Sequence, residues 1–174
     1  MQVLLLDFEA TSVDTSTARI TEIGAMLVDH TWDHYITANN AVSTLVYDKS
    51  YPELTQEVID ITGITQPMLD RSARTPQEAF DMLGGMVSDK LDFVVAFNRG
   101  YDEQLFRAEV ARNNMGMDPK MNWLASTPWL CAMVDIETNY KFKSWRLMHL
   151  ALEYGVTVNP KELHRAINDV ELMR

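Results

Sequence analysis

The chain has 174 residues, 47% of them hydrophobic, which suits one domain spanning 1–174 with a substantial core and excludes disorder on a large scale. Its net charge of −10 argues against gripping nucleic acid through a broad basic surface, and no apolar run approaches the roughly 18 to 20 residues of a membrane helix. A single cysteine, Cys131, excludes an internal disulfide, and with no secretory-type leader the expectation is a soluble, cytoplasmic protein.

The first strand carries the first chemical question. VLLLDFEAT, residues 3–11, runs four apolar residues into Asp7, Phe8 and Glu9. Positions i and i+2 of a strand share a face, so both carboxylates project together at the end of a buried strand. Such a pair repels itself unless something positive lies between the two groups. After the turn-rich TSVDTST, Ile20, Ile23, Ala25 and Leu27 fit a second strand, and a third lies within residues 34–47. Short connections favour an antiparallel meander. Helical spacing follows at Leu54, Val58, Ile59 and Ile61, with a stop at Gly63; TPQE at 75–78 then offers a capping box with proline at the first helical position. DFVVAF, residues 92–97, is a short apolar strand that feeds the helix YDEQLFRAEVARNN. Met115, Met117 and Met121 read as loop or packing residues. A further short strand lies near 129–131, Ser144 is placed to cap the helix WRLMHLALEY, and 163–173 is mostly a last helix. Three strands followed by alternating helices and strands make a mixed α/β sheet.

Three acidic groups sit at element boundaries: Asp7 with Glu9, Asp102 at the start of the helix after DFVVAF, and Asp169 in the final helix. Ligands bind at such strand ends in open α/β sheets. Convergence of the four carboxylates would resolve the repulsion, because hard oxygen ligands suit Mg2+ or Mn2+, and two such ions about 4 Å apart clamp the oxygens of a phosphoryl displacement. Two divalent ions would bring the charge from −10 to −6. His164, five residues before Asp169, is the natural general base at neutral pH. YKFKSWR, residues 140–146, interleaves Lys141, Lys143 and Arg146 with three aromatic residues. Such a segment can hold phosphates and stack on bases, and reads equally well as a solvated loop with its aromatics turned inward.

DFEAT, AFNRGYD and HRAIND resemble, in order, the D-x-E-x-T, N-x3-[FY]-D and H-x4-D motifs of the DEDDh exonuclease superfamily, and TGIT at 62–65 matches a landmark between the first two. Within the superfamily, WLCAM at 129–133 and the lysine-containing stretch after it are similar to exonuclease X-type enzymes; the proofreading epsilon-subunit type is also similar. The resemblance implies a ribonuclease-H-like fold, with three antiparallel strands, then two parallel strands, flanked by helices. It implies that Asp7, Glu9, Asp102 and Asp169 hold two Mg2+ or Mn2+ ions, with His164 as base, in a 3'-to-5' exonuclease releasing 5'-mononucleotides. Glu9 and Thr11 would seat the terminal 3'-hydroxyl, Phe8 and Ile64 would pack against the last bases, and Asn98 would orient Asp102 or touch the backbone.

Each residue also has a plainer reading. Asp7 and Glu9 could be exposed strand-end charges, Asp102 a complement to the helix macrodipole, Asp169 a solvated helix charge and His164 a helix-start residue. Asn98 could cap its helix, Thr11 could be turn chemistry, and Phe8 and Ile64 could be core residues. The motifs together favour a metal-dependent exonuclease acting on nucleic acid with a free 3' end, DNA in preference to RNA. An exoribonuclease of the same superfamily and a catalytically silent nucleic-acid-binding module are the alternatives. A homodimer, or association in trans with a replication or repair protein, is left open.

Overall fold

Five strands, β1 (Gln2–Ala10), β2 (Ile20–His30), β3 (Ile36–Leu45), β4 (Leu91–Ala96) and β5 (Trp129–Cys131), form one sheet in the order β3-β2-β1-β4-β5. β1, β2 and β3 pair antiparallel, whereas β4 and β5 join parallel, as the resemblance implies. This computed structural model describes residues 1–30, 36–135, 144, 146–159 and 163–174.

Alternation along β1 sorts its side chains onto two buried faces, which is why the strand reads as a continuous apolar run. Leu4, Leu6 and Phe8 lie opposite Leu27, Ala25 and Ile23 and enter the main core. That core is completed by Phe80 and Leu83 of α3 (Pro76–Gly84), Leu105 and Phe106 of α4 (Arg99–Arg112) and Leu124 of α5 (Pro119–Ser126). Val3 and Leu5 point to the other face, where Met26 and Val28 join them against Val170 of the C-terminal helix, Ala166–Met173. Asp7 and Glu9 continue this second face beyond its apolar part.

Local chemistry accounts for several helix ends. Thr55 caps the helix Gln56–Thr62 (α1) by accepting from the Val58 N–H, and Gly63 ends it in the left-handed region at φ 69°. The capping box between Thr75 and Glu78 is formed in both directions. Three expectations are corrected. Ser144 does not cap a helix: α6 is Leu147–Glu153, Arg146 stands at its N-cap, and the Ser144 hydroxyl accepts the Arg146 N–H at 3.4 Å. Asn98 occupies the N-cap position of α4 without a side-chain cap bond. The last helix, α7, starts at Ala166 because His164 adopts φ 59°, which a right-handed helix cannot contain. The helices α2 (Gln66–Ser72) and α5 and the 3-10 turn Met115–Met117 have no counterpart among the expected elements; Met115 and Met121 are buried and Met117 is exposed.

Candidate active site

The site opens where the sheet splits. Pairing between β1 and β4 ends at Leu5 and Val95, while β1 runs on beside β2 to Ala10 and the chain leaves β4 to enter α4. A crevice at the carboxyl ends of parallel strands results. Asp102, in the first turn of α4, reaches across it: its Oδ1 accepts the Phe8 N–H at 3.2 Å, in place of a ladder partner. Asp7 and Glu9 flank that residue on the opposite face, paired across the ladder with Gly24 and Glu22.

α7 closes the site from above, and a glycine makes this possible. A Cβ at Gly24 would lie 2.2 Å from the Ala166 carbonyl carbon and 2.4 Å from the Ile167 nitrogen, so the first turn of α7 rests on bare β2 backbone. Beside this contact, Glu22, 1% exposed, accepts from Arg165 Nη2 at 2.7 Å and from the Ala166 N–H at 3.0 Å, which pins the start of the helix. Gly24→Val is expected to cost about 3 kcal/mol, since the helix must lift off the sheet. Equal melting temperatures for the two proteins in thermal denaturation would show that α7 is seated otherwise.

Glu9, His164 and Asp169 each bring one ligand atom within 4.8 Å of the others. Asp7, Asp102, His164 and Asp169 line a cavity of about 470 Å³, together with Asn98, Tyr101 and Arg146. A second cavity of about 380 Å³ is lined by Glu9, Thr11, Ser12, Val13, Val58 and Ile61, and the two share Phe8 and Tyr101. Thr11 is buried, and its hydroxyl accepts the Arg19 N–H at 3.0 Å. Phe8 is 4% exposed and belongs chiefly to the core. Ile64 is fully buried and offers no surface to a base; Ile61, one turn earlier and half exposed, stands in the cleft wall instead. Lys141 and Lys143 lie outside the described residues.

The carboxylates resist ionising together. Burial, followed by the charges of Asp102, Glu9, Asp169 and Glu22, holds Asp7 well above the usual range. Burial and then Asp169, Glu22 and Asp102 push Glu9 up to about 8, with Arg165 pulling the other way. Burial lifts Asp102 to about 7 against the Phe8 hydrogen bond. Asp169 is raised by burial, opposed by His164 and by a hydrogen bond from its backbone, and Asp169 Oδ1 is buried with no protein partner. Hard oxygen donors, mutual repulsion and an orphaned carboxylate oxygen fit divalent cations. Among the described residues these acids are the set suited to hold them.

Stability should record this repulsion. Glu9 and Asp102 bind protons more tightly folded than unfolded, so their stabilising contribution is complete below their ordinary values of 4.5 and 3.8 and is lost as pH rises through about 8 and about 7. In EDTA the melting temperature is expected to fall as pH rises between roughly pH 5 and 8, and millimolar Mg2+ should abolish the fall. A flat profile in EDTA would contradict the charge frustration.

Sequence reasoning missed Glu22, Gly24, Arg165 and Tyr101. An acid two residues before a glycine, inside the apolar strand ITEIGAML, was the available signal for the first two.

The exonuclease family model RNase_T matches residues 4–173. The PolC-type DNA polymerase III of Thermotoga maritima is 28% identical over 171 residues, which is 97% of this chain and 11% of the polymerase; that of Thermotoga petrophila is 28% identical over 169 residues, with the same coverage. The chain thus spans about a ninth of the length of these curated relatives. Among solved structures, E. coli exonuclease I in its zinc-bound complex with single-stranded DNA superposes with a TM-score of 0.78 at 17% identity, over 99% of this chain and 38% of that one. Exonuclease I of Methylocaldum szegediense gives 0.76 at 17% identity, over 98% and 38%. These structures share the ribonuclease-H-like exonuclease fold described above, and with a family model covering nearly every residue and the acids of all three motifs in one crevice, the chain belongs to the exonuclease family of the DEDDh superfamily.

Proposed function

We propose that this domain is a metal-dependent 3'-to-5' exonuclease that removes 5'-mononucleotides from DNA, preferentially single-stranded. The observation that carries the reading is the meeting of Asp7, Glu9, Asp102 and Asp169 with His164 around one crevice, where Asp169 Oδ1 lacks a protein partner. The four acids would hold two Mg2+ or Mn2+ ions. Divalent ions there supply Lewis-acid chemistry, neutralising phosphate charge and easing deprotonation of water. His164, exposed at the rim, takes the proton from the attacking water, while its backbone N–H holds the Asp169 carboxylate in place. Glu9 and Thr11 seat the terminal 3'-hydroxyl beside the second cavity, and Asn98 faces the scissile end from the start of α4. Arg146, in the cavity wall, contacts a substrate phosphate, with Lys141 and Lys143 preceding it in sequence. DNA is favoured over RNA because the curated relatives are DNA polymerases, and a replication or repair protein is the fitting partner.

Matched 5'-labelled single-stranded DNA and RNA, incubated with Mg2+, Mn2+ or EDTA, test the proposal. A ladder shortening from the 3' end in either metal, absent in EDTA and faster on DNA, is expected. No degradation in either metal would sink the enzyme reading; faster loss of RNA would transfer it to an exoribonuclease.

A further inference from the structure

The connection between β1 and β2, residues 11–19, supplies Thr11, Ser12 and Val13 to the wall of the second cavity. Val13 at its tip is 91% exposed, yet the backbone around it is held at several points by α4. Tyr101 Oη donates to the Ser12 carbonyl at 2.8 Å. From the far end of the same helix, Arg112 donates through Nη2 to the carbonyls of Thr15 at 3.1 Å and Ser16 at 2.5 Å, and through Nη1 to that of Ala18 at 2.6 Å. One guanidinium therefore ties down three carbonyls of the loop between residues 15 and 18.

Behind it stands Glu109, which is fully buried. It accepts from Arg112 Nη1 at 3.1 Å, from Arg19 Nε at 2.7 Å and from Asn113 Nδ2 at 2.9 Å, while the Arg19 guanidinium lies 4.3 Å over the Tyr51 ring. Burying a carboxylate is costly, and two guanidiniums with charge-assisted bonds offset the cost. None of these groups reaches the crevice of the four acids. What they share is the loop: Arg19 ends it, and Arg112 spans it. α4 thus carries Asp102 in its first turn and the loop clamp in its last.

We propose that Arg112, backed by Glu109 and Arg19, is a positioning residue for substrate: by holding residues 15–18 against α4 it fixes the loop that carries Ser12 and Val13 and so sets the width of the cleft that receives the terminal nucleotide. The inference rests on the exonuclease reading for its substrate. A flexible wall must be ordered at each binding event, which weakens binding and leaves the proton transfer at His164 untouched. Lysine separates this role from mere neutralisation of Glu109, because a single ammonium keeps the charge but cannot fork to three carbonyls.

The test compares wild type, Arg112→Lys and Arg112→Gln well below their melting temperatures. Affinity for a 5'-fluorescein oligothymidylate is measured by anisotropy in Ca2+, and kcat and KM in Mg2+. Both variants are expected to bind about tenfold more weakly and to show about tenfold higher KM, with kcat within about twofold of wild type. An affinity for Arg112→Lys equal to wild type would reduce the cluster to charge balance and overturn the clamp. A fall in kcat at unchanged affinity would overturn it too. If Arg112→Gln does not fold, Arg112→Lys decides alone. Wild type that binds the oligonucleotide but never shortens it would refute the exonuclease reading while the affinities still judge the clamp; wild type that binds none would refute both.

Discussion

Asp7→Asn is expected to abolish nuclease activity, by about 10³-fold or more, while making the metal-free protein more stable. The two effects share one cause. Asp7 stands among Asp102, Glu9, Asp169 and Glu22, whose charges add to burial in disfavouring its ionised form. An amide of the same shape removes that repulsion at neutral pH, and with it an oxygen donor proposed to hold a divalent ion. A gain of about 1 to 2 kcal/mol in EDTA would raise the melting temperature by roughly 4 °C in a domain of this size. In Mg2+ the order should reverse, since wild type alone gains the full binding free energy of the ions. Thermal melts in EDTA and in Mg2+, with activity on labelled single-stranded DNA, check all three statements together. A variant less stable than wild type in EDTA would show that Asp7 supports the fold through contacts other than charge.

His164→Gly should separate catalysis from folding. His164 is exposed and sits at φ 59°, where a side chain is disfavoured and glycine is at ease. Glycine here is therefore expected to leave the melting temperature unchanged or to raise it slightly, whereas removing the proposed general base is expected to lower kcat by about 10² to 10⁴. His164→Ala loses the same chemistry and retains the strain, so it should be the less stable of the two. Chemical rescue supplies the mechanism: with the base gone, external imidazole should restore part of the rate. A His164→Gly protein within fivefold of wild-type kcat would assign the proton transfer elsewhere.

The strained backbone at His164 has a structural reason that no short-range pattern reveals. α7 must descend onto Gly24 directly from the preceding segment, and a left-handed residue at 164 turns the chain into it while Arg165 binds Glu22. In sequence, HRAIND reads as the first turn of a helix beginning near 163. The helix starts instead at Ala166, and the correction concerns a residue assigned to catalysis. The expected caps divide along the same line. Thr75 caps as expected because its partner lies three residues away, whereas Ser144 does not cap and Asn98 turns to the crevice, where tertiary contacts set the local backbone. Ile64 follows tertiary burial as well: the resemblance implies that it packs against the last bases, but Gly63 turns the chain inward and leaves Ile61 of α1 on the surface.

What the sequence determined by itself was the set of acids and the order in which they come. Strand alternation puts Asp7 and Glu9 on one face, and Asp102 follows a short apolar strand at the start of a helix. Asp169 sits five residues after a histidine, and both steps rest on periodicities that span only a few residues. The tertiary structure alone decided that these groups meet. Asp7 and Asp169 lie at opposite ends of the chain, and only the central position of β1, its divergence from β4 and the bare backbone at Gly24 bring α7 down beside it. The same holds for Glu22 with Arg165 and for the Arg112 clamp, whose partners are separated by most of the chain. Contacts of that range depend on how sheet faces and helix ends are packed against one another, and no local pattern of residues encodes the packing.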